Sequence, residues 1–300
     1  MELISLQLTM FALMLTGYFL RRRNIISEAG EKSLTDLVID IVLPANTIKS
    51  FLGSADPALL ANFGTIFLIS MGIQIFCIPF GYLLYRKKPR GKKECLQYGI
   101  FCSNSGFLGN AVAESTFGIE ALSLTSVYLI PVRFVMWSFG IAIFSGINDR
   151  KASLKKVLTH PCVLACFIGL ALMLSQIQLP SFVVKTISYL GSCNTPLSMM
   201  VVGMFFTKAD LKSFKDPDLF VYTLLRLVAM PALAYLVLSQ LPISRFVLGV
   251  SVILVAMPAA ATTSILANKY DANGPFATEL VVFSTLCSLV TTPLWTTFLL

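Results

Sequence analysis

Polar and helix-breaking residues interrupt a long apolar stretch in each half of the chain. The first of these stretches contains the run SNSGFLGN, which begins at Ser103. A helix that breaks in an apolar environment frees backbone groups that must face protein or water. The half-helix after the break presents unpaired N–H groups and the positive end of its dipole, and both favour an anion. These residue types in this pattern therefore predict an anion-binding segment.

The second interrupted stretch reads VILVAMPAAATTSILANKYD. We predict that the two helices break at Gly106 and Pro258. Small residues and prolines also pack membrane helices closely without binding a ligand, and this alternative applies to each stretch taken alone. Two such stretches at matching positions favour binding. The candidate substrate-binding residues are Asn104, Ser105, Gly106, Asn110, Pro258, Ala259, Thr262, Thr263 and Arg133.

An internal repeat relates the two stretches. A shift of 152 residues places helix-punctuating residues of the first half on those of the second: Gly17 on Gly169, Ile25 on Ile177, Pro44 on Pro196, Pro79 on Pro231 and Gly106 on Pro258. Each half holds five apolar spans, and this odd number makes the second half enter the membrane from the opposite side. A repeat of this kind in so apolar a chain is typical of secondary transporters.

The composition requires a bilayer as the solvent of the chain. Hydrophobic residues make up 56% of the sequence and charged residues 13%, and the mean hydropathy is +0.80. Ten stretches approach the roughly 20 residues that a membrane-spanning helix needs: 3–20, 34–53, 59–84, 94–112, 120–145, 158–178, 184–206, 217–238, 245–267 and 276–299. We predict an all-α integral membrane protein whose ten transmembrane helices form two inverted five-helix repeats, with spans four and nine broken where they cross. The repeats are 1–148 and 158–300, and a cytoplasmic loop at 149–157 joins them.

The distribution of positive charge predicts the orientation in the cell membrane. Eighteen of the 23 Lys and Arg residues fall in alternate loops on one side, against Lys49, Lys185 and Arg245 on the other. By the positive-inside rule the first side is cytoplasmic, so both termini are expected outside the cytoplasm. The cluster Arg21–Arg23 follows the first apolar stretch, which is typical of a retained helix rather than a signal peptide. Nucleic-acid binding is not expected, because the positively charged residues lie in alternate loops on one side of the membrane.

A few ionisable residues lie within the predicted spans. Arg133 is about 20 Å from either end of span five, at 1.5 Å per residue. We predict that it faces a cavity and neutralises a substrate carboxylate; a structural hydrogen bond to carbonyls at a helix break is the alternative. Arg226 in span eight is predicted to be structural. Asp36 and Asp40 share one helix face and are expected to pair with Arg21–Arg23, with a proton-carrying role of Asp40 as the alternative.

The sequence offers little for enzymatic or metal chemistry. The seven cysteines lack zinc-ligand spacing and are expected to be packing residues. The single histidine, His160, is expected in a loop or helix cap. Neither HExxH nor GxSxG occurs, so we predict that the protein is not an enzyme and needs no metal or cofactor. No carboxylate falls in either interrupted segment, which leaves uniport and proton symport equally open.

Several strings resemble the auxin efflux carrier family, bacterial relatives of the plant PIN transporters. TGYFLRRRNIISEAGEKSLTDLVIDIVLPA resembles the first two helices of the family and SNSGFLGN its fourth-helix crossover. PLSMMVVGMFF resembles the seventh helix, and AMPAAATTSILANKYDANGPFATELVVFSTLCSLVTTPLW resembles the ninth and tenth. The resemblance covers essentially the whole chain. It implies ten helices with crossing breaks, an elevator-type carrier of small organic anions and a homodimer.

The resemblance also implies roles for single residues. By position, Asn104 matches the crossover asparagine of the family and Pro258 its crossover proline. Two departures fall where substrate choice would be made: Asn110 lies in Gly-Asn-Ala where relatives often have Gly-x-Pro, and Thr262 replaces an asparagine. Auxin, malate and malonate are substrates within the family.

The leading prediction is a carrier that moves small organic anions across the membrane by alternating access. A sodium-coupled symporter or cation antiporter of the same inverted-repeat build is the alternative, and the sodium dependence of uptake separates the two. A membrane sensor would need a soluble output domain, for which the short loops offer little room.

Overall fold

The computed structural model describes residues 2–52, 57–145, 159, 161–208 and 214–300, and most of these residues lie in helices. The β pairing recorded among these residues is a single antiparallel bridge between Ser103 and Ala259. The predicted connecting loop at 149–157 and His160 lie outside the described residues.

The helices of the first half are numbered in chain order. They are α1 (Glu2–Arg22), α2 (Glu28–Leu37, a π-helical turn Val38–Val42 and Leu43–Phe51), α3 (Pro57–Tyr85), α4 (Lys92–Phe101), α5 (a π-helical turn Ser105–Gly109 and Asn110–Phe117) and α6 (Glu120–Val135, a π-helical turn Met136–Gly140 and Ile141–Ser145).

The described residues of the second half form six more helices. They are α7 (Pro161–Ser175), α8 (Ser181–Ser192 and Asn194–Phe205, followed by the 3-10 turn Phe206–Lys208), α9 (Pro217–Leu224, a π-helical turn Leu225–Ala229 and Met230–Leu238), α10 (Arg245–Val255), α11 (Thr262–Lys269) and α12 (Gly274–Leu299).

Four of the described helical segments are long and apolar enough to cross a membrane: Ala61–Tyr85, Glu120–Ser145, Pro217–Leu238 and Gly274–Leu299. Pro161–Ser175 and Arg245–Val255 are shorter apolar helices. The long helices expose large apolar side chains, among them Leu68, Ile75, Val290 and Leu294. A soluble protein would cover such surface, so a bilayer must contact it. The protein is thus an all-helical membrane protein, as predicted.

Side-chain caps fix several helix starts. Ser27 before α2 accepts a hydrogen bond from the Gly30 N–H, and Ser244 before α10 accepts one from the Val247 N–H. Asn273 caps α12 in the same way through the Phe276 N–H. Each oxygen satisfies one of the amide groups that a helix leaves without a partner in its first turn.

Ion pairs join the polar ends of three helices. Lys92 at the start of α4 contacts Asp216, which precedes α9, and Lys88 contacts Asp218. Partial burial acts to raise the pKa of Asp216, but the hydrogen bonds from Lys92 and the Asp218 N–H and the charges of Lys92 and Lys88 lower that pKa overall.

The ion pair predicted for Asp36 and Asp40 is wrong. Arg21 instead pairs with Glu31, with 3.1 Å between Arg21 Nε and Glu31 Oε2. Glu31 is buried beside the end of α1, whereas Asp36 and Asp40 are exposed farther along α2. Arg21 pairs with Glu31 because Glu31 is the nearer carboxylate. Helix 28–51 rises about 1.5 Å per residue, which carries Asp36 and Asp40 farther from Arg21.

Two close helix crossings set the relative positions of α1, α2, α7 and α8. A Cβ atom at Gly17 of α1 would lie 2.0 Å from the carbonyl oxygen of Met200 in α8, and one at Gly203 would lie 1.8 Å from that of Met14. Glycine is required there because the two backbones touch. At the second crossing Gly169 of α7 lies against the ring of Phe51 in α2.

The two crossings correspond under the repeat shift. Adding 152 to residue 17 gives residue 169, and subtracting 152 from residue 203 gives residue 51. The first helix of each half therefore packs on the second helix of the other half at matching positions.

Gly203→Ala tests the backbone contact between α1 and α8. The added methyl group must push the helices apart, and overpacking of this kind costs about 1–3 kcal/mol or more. We expect a lower melting temperature of the detergent-solubilised protein. Gly72→Ala in α3 is the matched control, because a Cβ atom there meets nothing within 4 Å. Equal melting temperatures of the two variants would contradict the contact.

Candidate functional site

Two interrupted helices meet at their breaks. The chain is extended or irregular at 102–104 between α4 and α5, and at 256–261 between α10 and α11. The Asn104 N–H donates to the Pro258 carbonyl at 2.8 Å, and the Ala260 N–H donates to the Cys102 carbonyl at 3.4 Å. The two breaks thus satisfy each other's backbone groups. We call this region, residues 102–106 and 256–263, the crossover.

The first break does not lie at Gly106, so that prediction is wrong. α4 ends at Phe101 and α5 begins at Ser105, which places Gly106 in the first turn of the second half-helix. Cys102 is extended, with φ −115° and ψ 100°, and its carbonyl meets the opposite break. Pairing with the second break, rather than the local freedom of glycine, decides where the first helix stops. Pro258 does lie within its break, as predicted.

Two serine hydroxyl groups hold the crossover together. The Oγ atoms of Ser103 and Ser105 are 2.5 Å apart, and both lie within hydrogen-bond distance of the Leu254 carbonyl near the end of α10. On the other side, the Ala259 N–H donates to Ser284 Oγ of α12 at 3.1 Å. Ser105 and Ala259 therefore bind protein groups.

Other candidate groups at the crossover remain free of protein partners. Within the described residues, the buried Nδ2 of Asn104 and the buried Oγ1 of Thr263 have no hydrogen-bond partner. Asn104 is 4% exposed and Thr263 is fully buried. A Cβ atom at Gly106 would meet nothing within 4 Å, which indicates open space beside the first turn of α5. A buried amide or hydroxyl without a partner is costly, so these groups are suited to a ligand.

The remaining polar candidates lie around this space. Thr262 Oγ1 is 2.9 Å from the hydroxyl of Tyr98 in α4, which fixes the first residue of α11. Asn110, one turn along α5, is buried and its Oδ1 has no partner in the described part of the chain.

The helix ends give the crossover a defined electrostatic pattern. α5 and α11 begin there, and no helical turn precedes their first backbone N–H groups. In α11 the N–H groups of Thr263 and Ser264 donate instead to the carbonyls of Ala260 and Ala261 in the break. α4 and α10 end there, and no further helical turn supplies N–H groups to their last carbonyls. Two positive dipole ends and two negative dipole ends thus meet in one place.

Arg226 of α9 lies at the negative ends. Its Nε donates to the Met257 carbonyl at 3.1 Å and its Nη1 to the Ile100 carbonyl at 2.8 Å. One turn earlier, the Tyr222 hydroxyl donates to the Gly99 carbonyl at 2.9 Å. α9 therefore presents two donors to the end of α4.

Arg133 lies apart from these contacts. It is 6% exposed, and its Nη1 has no hydrogen-bond partner among the described residues. The helix that carries it, Glu120–Val135, packs against the first turn of α5, against Leu43–Phe51 of α2 and against α7. Asp40 is exposed in the π-helical turn of α2 and makes no ion pair within 4 Å to any described cation.

Two cavities lie elsewhere in the protein. One of about 450 Å³ runs between α1 and α12, and one of about 780 Å³ lies beside the start of α4 and residues 270–273. No crossover residue lines either cavity, and neither lining contains one of the unpartnered polar atoms named above.

Comparison with known proteins decides the family. The sequence model of the membrane transport protein family matches residues 3–155 and 148–296. The chain belongs to this family. It is the auxin efflux carrier family, so the resemblance drawn from the sequence is confirmed, and the protein is a membrane transporter.

Relatives with related sequences span nearly the whole chain. A transporter of Methanothermobacter thermautotrophicus is 28% identical over 97% of each chain, and one of Methanocaldococcus jannaschii is 26% identical over 96% of each. A protein of Rhizobium meliloti, named as a proposed malonate transporter, is 22% identical over 97% of this chain and 93% of its own.

Ser284→Ala tests the support of the second break. The substitution removes the acceptor of the Ala259 N–H, and leaving a buried donor unsatisfied costs about 1–3 kcal/mol. We expect a lower melting temperature in detergent. Ser288→Ala is the matched control, because that hydroxyl binds only the Thr285 carbonyl of its own helix. A smaller loss of stability for Ser284→Ala than for Ser288→Ala would contradict the role of Ser284.

Proposed function

We propose that this transporter carries small carboxylate anions, which it binds at the crossover. The observation that carries the proposal is the coincidence of two half-helix N-termini with unpartnered buried side chains of Asn104 and Thr263. The Asn104 amide nitrogen can only donate, and a carboxylate oxygen can only accept. Each such bond to a charged group is worth about 1.5–3 kcal/mol.

The lack of acidic side chains supports an anion over a cation. Neither crossover segment contains Asp or Glu. The dipole of each half-helix adds about 0.3–1 kcal/mol for a negative charge near its N-terminus, and up to about 2 kcal/mol when partly buried. Free N–H groups beside Gly106 allow the carboxylate to approach the backbone closely, as the open space there permits.

Arg133 supports a substrate with a second carboxylate. A buried guanidinium with an unpartnered nitrogen costs free energy unless an anion accepts a hydrogen bond from it during the transport cycle. Its helix packs against the first turn of α5, and this contact supports a role for Arg133 beside the crossover. We therefore propose a short dicarboxylate, of the size of malonate, which agrees with the name of the Rhizobium meliloti relative.

The packing supports alternating access by an elevator motion. In this proposal α1, α2, α7 and α8 form the static scaffold, because glycines bring α1 onto the backbone of α8 and α7 onto the ring of Phe51 in α2. α3 to α6 and α9 to α12 surround the crossover and move with the substrate. The correspondence of the two scaffold crossings under the 152-residue shift supports the two inverted five-helix repeats and, with them, the ten-span topology.

Uptake into proteoliposomes tests the substrate and the site. We expect saturable uptake of malonate, malate or succinate and none of a neutral amino acid, with indole-3-acetate as the monocarboxylate comparison. Asn104→Ala and Thr263→Val each remove one bond and should raise KM about tenfold or more. Thr125→Val is the control, because that hydroxyl binds only carbonyls of its own helix. Transport of a neutral solute, or unchanged KM in both variants, would contradict the proposal.

Arg133→Gln tests the second carboxylate. Loss of the countercharge should raise KM for malonate about tenfold or more, while KM for a monocarboxylate of similar size changes little. Arg245→Gln, at the exposed start of α10, controls for loss of positive charge. Equal effects of Arg133→Gln on KM for both substrates would show that the guanidinium does not bind the second carboxylate.

Labelling of terminal tags tests the orientation. The charge distribution supports termini on the non-cytoplasmic side of the cell membrane. A membrane-impermeant reagent should therefore label tags at either end in intact cells. Labelling only after lysis would show that the termini are cytoplasmic, opposite to the proposed orientation.

A further inference from the structure

The negative ends of two helices converge on one side chain in the crossover. Ile100 is the penultimate residue of α4, and Met257 follows the end of α10 by two residues. Their carbonyl oxygens accept hydrogen bonds from the guanidinium of Arg226, which is 4% exposed. No carboxylate of a described residue lies within 4 Å of this guanidinium.

Such a place attracts a cation for two physical reasons. Each helix end carries roughly half a negative charge, so two of them offer about one unit of compensation. Backbone carbonyls at the ends of interrupted membrane helices are also the ligands that coordinate alkali cations in water-excluded sites.

The sequence of α9 places Arg226 there by a specific device. Pro231 has no N–H to donate to the carbonyl of Leu227, four residues earlier. The indole Nε1 of Trp295 in α12 donates to that carbonyl at 2.8 Å. The π-helical turn Leu225–Ala229 precedes the proline, and such turns reorient the side chains that they carry.

The other half of the chain has no equivalent charge. Subtracting 152 from 226 gives residue 74, which is Gln74, a buried neutral amide whose Oε1 has no partner among the described residues. One guanidinium therefore serves the carbonyl ends of both half-helices.

We propose that the ends of α4 and α10 form a cation site whose permanent occupant is the guanidinium of Arg226. The compensating positive charge is thus part of a side chain of the protein. The crossover therefore requires no sodium or other free cation. The site itself rests on the contacts above. Its consequence, carboxylate transport without sodium coupling, rests on the proposed function.

Removal of the guanidinium should convert the site into one for free cations. We would measure the melting temperature of purified Arg226→Ala in choline chloride and after addition of sodium, potassium or millimolar guanidinium chloride, far below the denaturing range. A ligand that binds the folded state raises its stability in a saturable manner. We expect a saturable rise of several degrees with guanidinium or sodium for Arg226→Ala, and none for the wild type or Arg226→Lys.

Two controls keep the test decisive. Arg133→Ala also loses a buried guanidinium, but away from the two carbonyl ends, and should show no cation response. If Arg226→Ala does not fold, Arg226→Gln keeps a donor for one carbonyl and should show the same response. A selective sodium response of the wild type would overturn the proposal. So would the absence of any cation response in a folded Arg226 variant.

The failure of this proposal can be distinguished from that of the proposed function. The melting experiment needs no substrate, so it reports on the cation site even if no carboxylate is carried. If malonate is carried, replacement of sodium by choline should leave uptake by the wild type unchanged and reduce uptake by Arg226→Ala. Sodium-dependent uptake by the wild type would overturn the coupling consequence alone.

Discussion

Backbone hydrogen bonding inside an apolar solvent is the constraint on which the rest of this structure depends. A helix that stops within the bilayer leaves amide and carbonyl groups that cost several kcal/mol each when they are unsatisfied. Here two helices stop at the same place, and the Asn104 N–H and the Cys102 carbonyl find partners in the opposite break. The pairing explains why the two breaks must coexist, since neither break could satisfy these groups alone.

The crossover keeps the positive ends and the negative ends of the helix dipoles apart. The N-terminal end of α5 keeps free donors, and the buried Asn104 amide adds another. The C-terminal ends of α4 and α10 are occupied, because Arg226 donates to both. One side of the crossover is therefore neutralised by the protein itself, while the other keeps its unused donors. The proposed binding of an anion depends on this asymmetry, because fully satisfied helix ends would leave no donors for it.

Supporting helices carry part of this arrangement in ways that the sequence did not indicate. Ser284 accepts from the Ala259 N–H, and Trp295 donates to the carbonyl that Pro231 leaves free. Both residues belong to α12, whose sequence is an ordinary apolar span with scattered hydroxyl groups. Hydroxyl groups in membrane helices most often bind the preceding turn of their own helix, as Ser288 does, so no sequence signal separates Ser284 from Ser288.

The sequence by itself determined the all-helical membrane character, the family and the segments that contain the breaks. Apolar length requires a helix in lipid, and polar or helix-breaking residues within such a length require a protein or aqueous partner. Only the tertiary structure decided that the first break lies at 102–104 instead of Gly106, and that Arg21 pairs with Glu31. Both outcomes depend on which groups meet across distant parts of the chain. A residue type specifies what a group can bind, but packing decides which partner lies within reach.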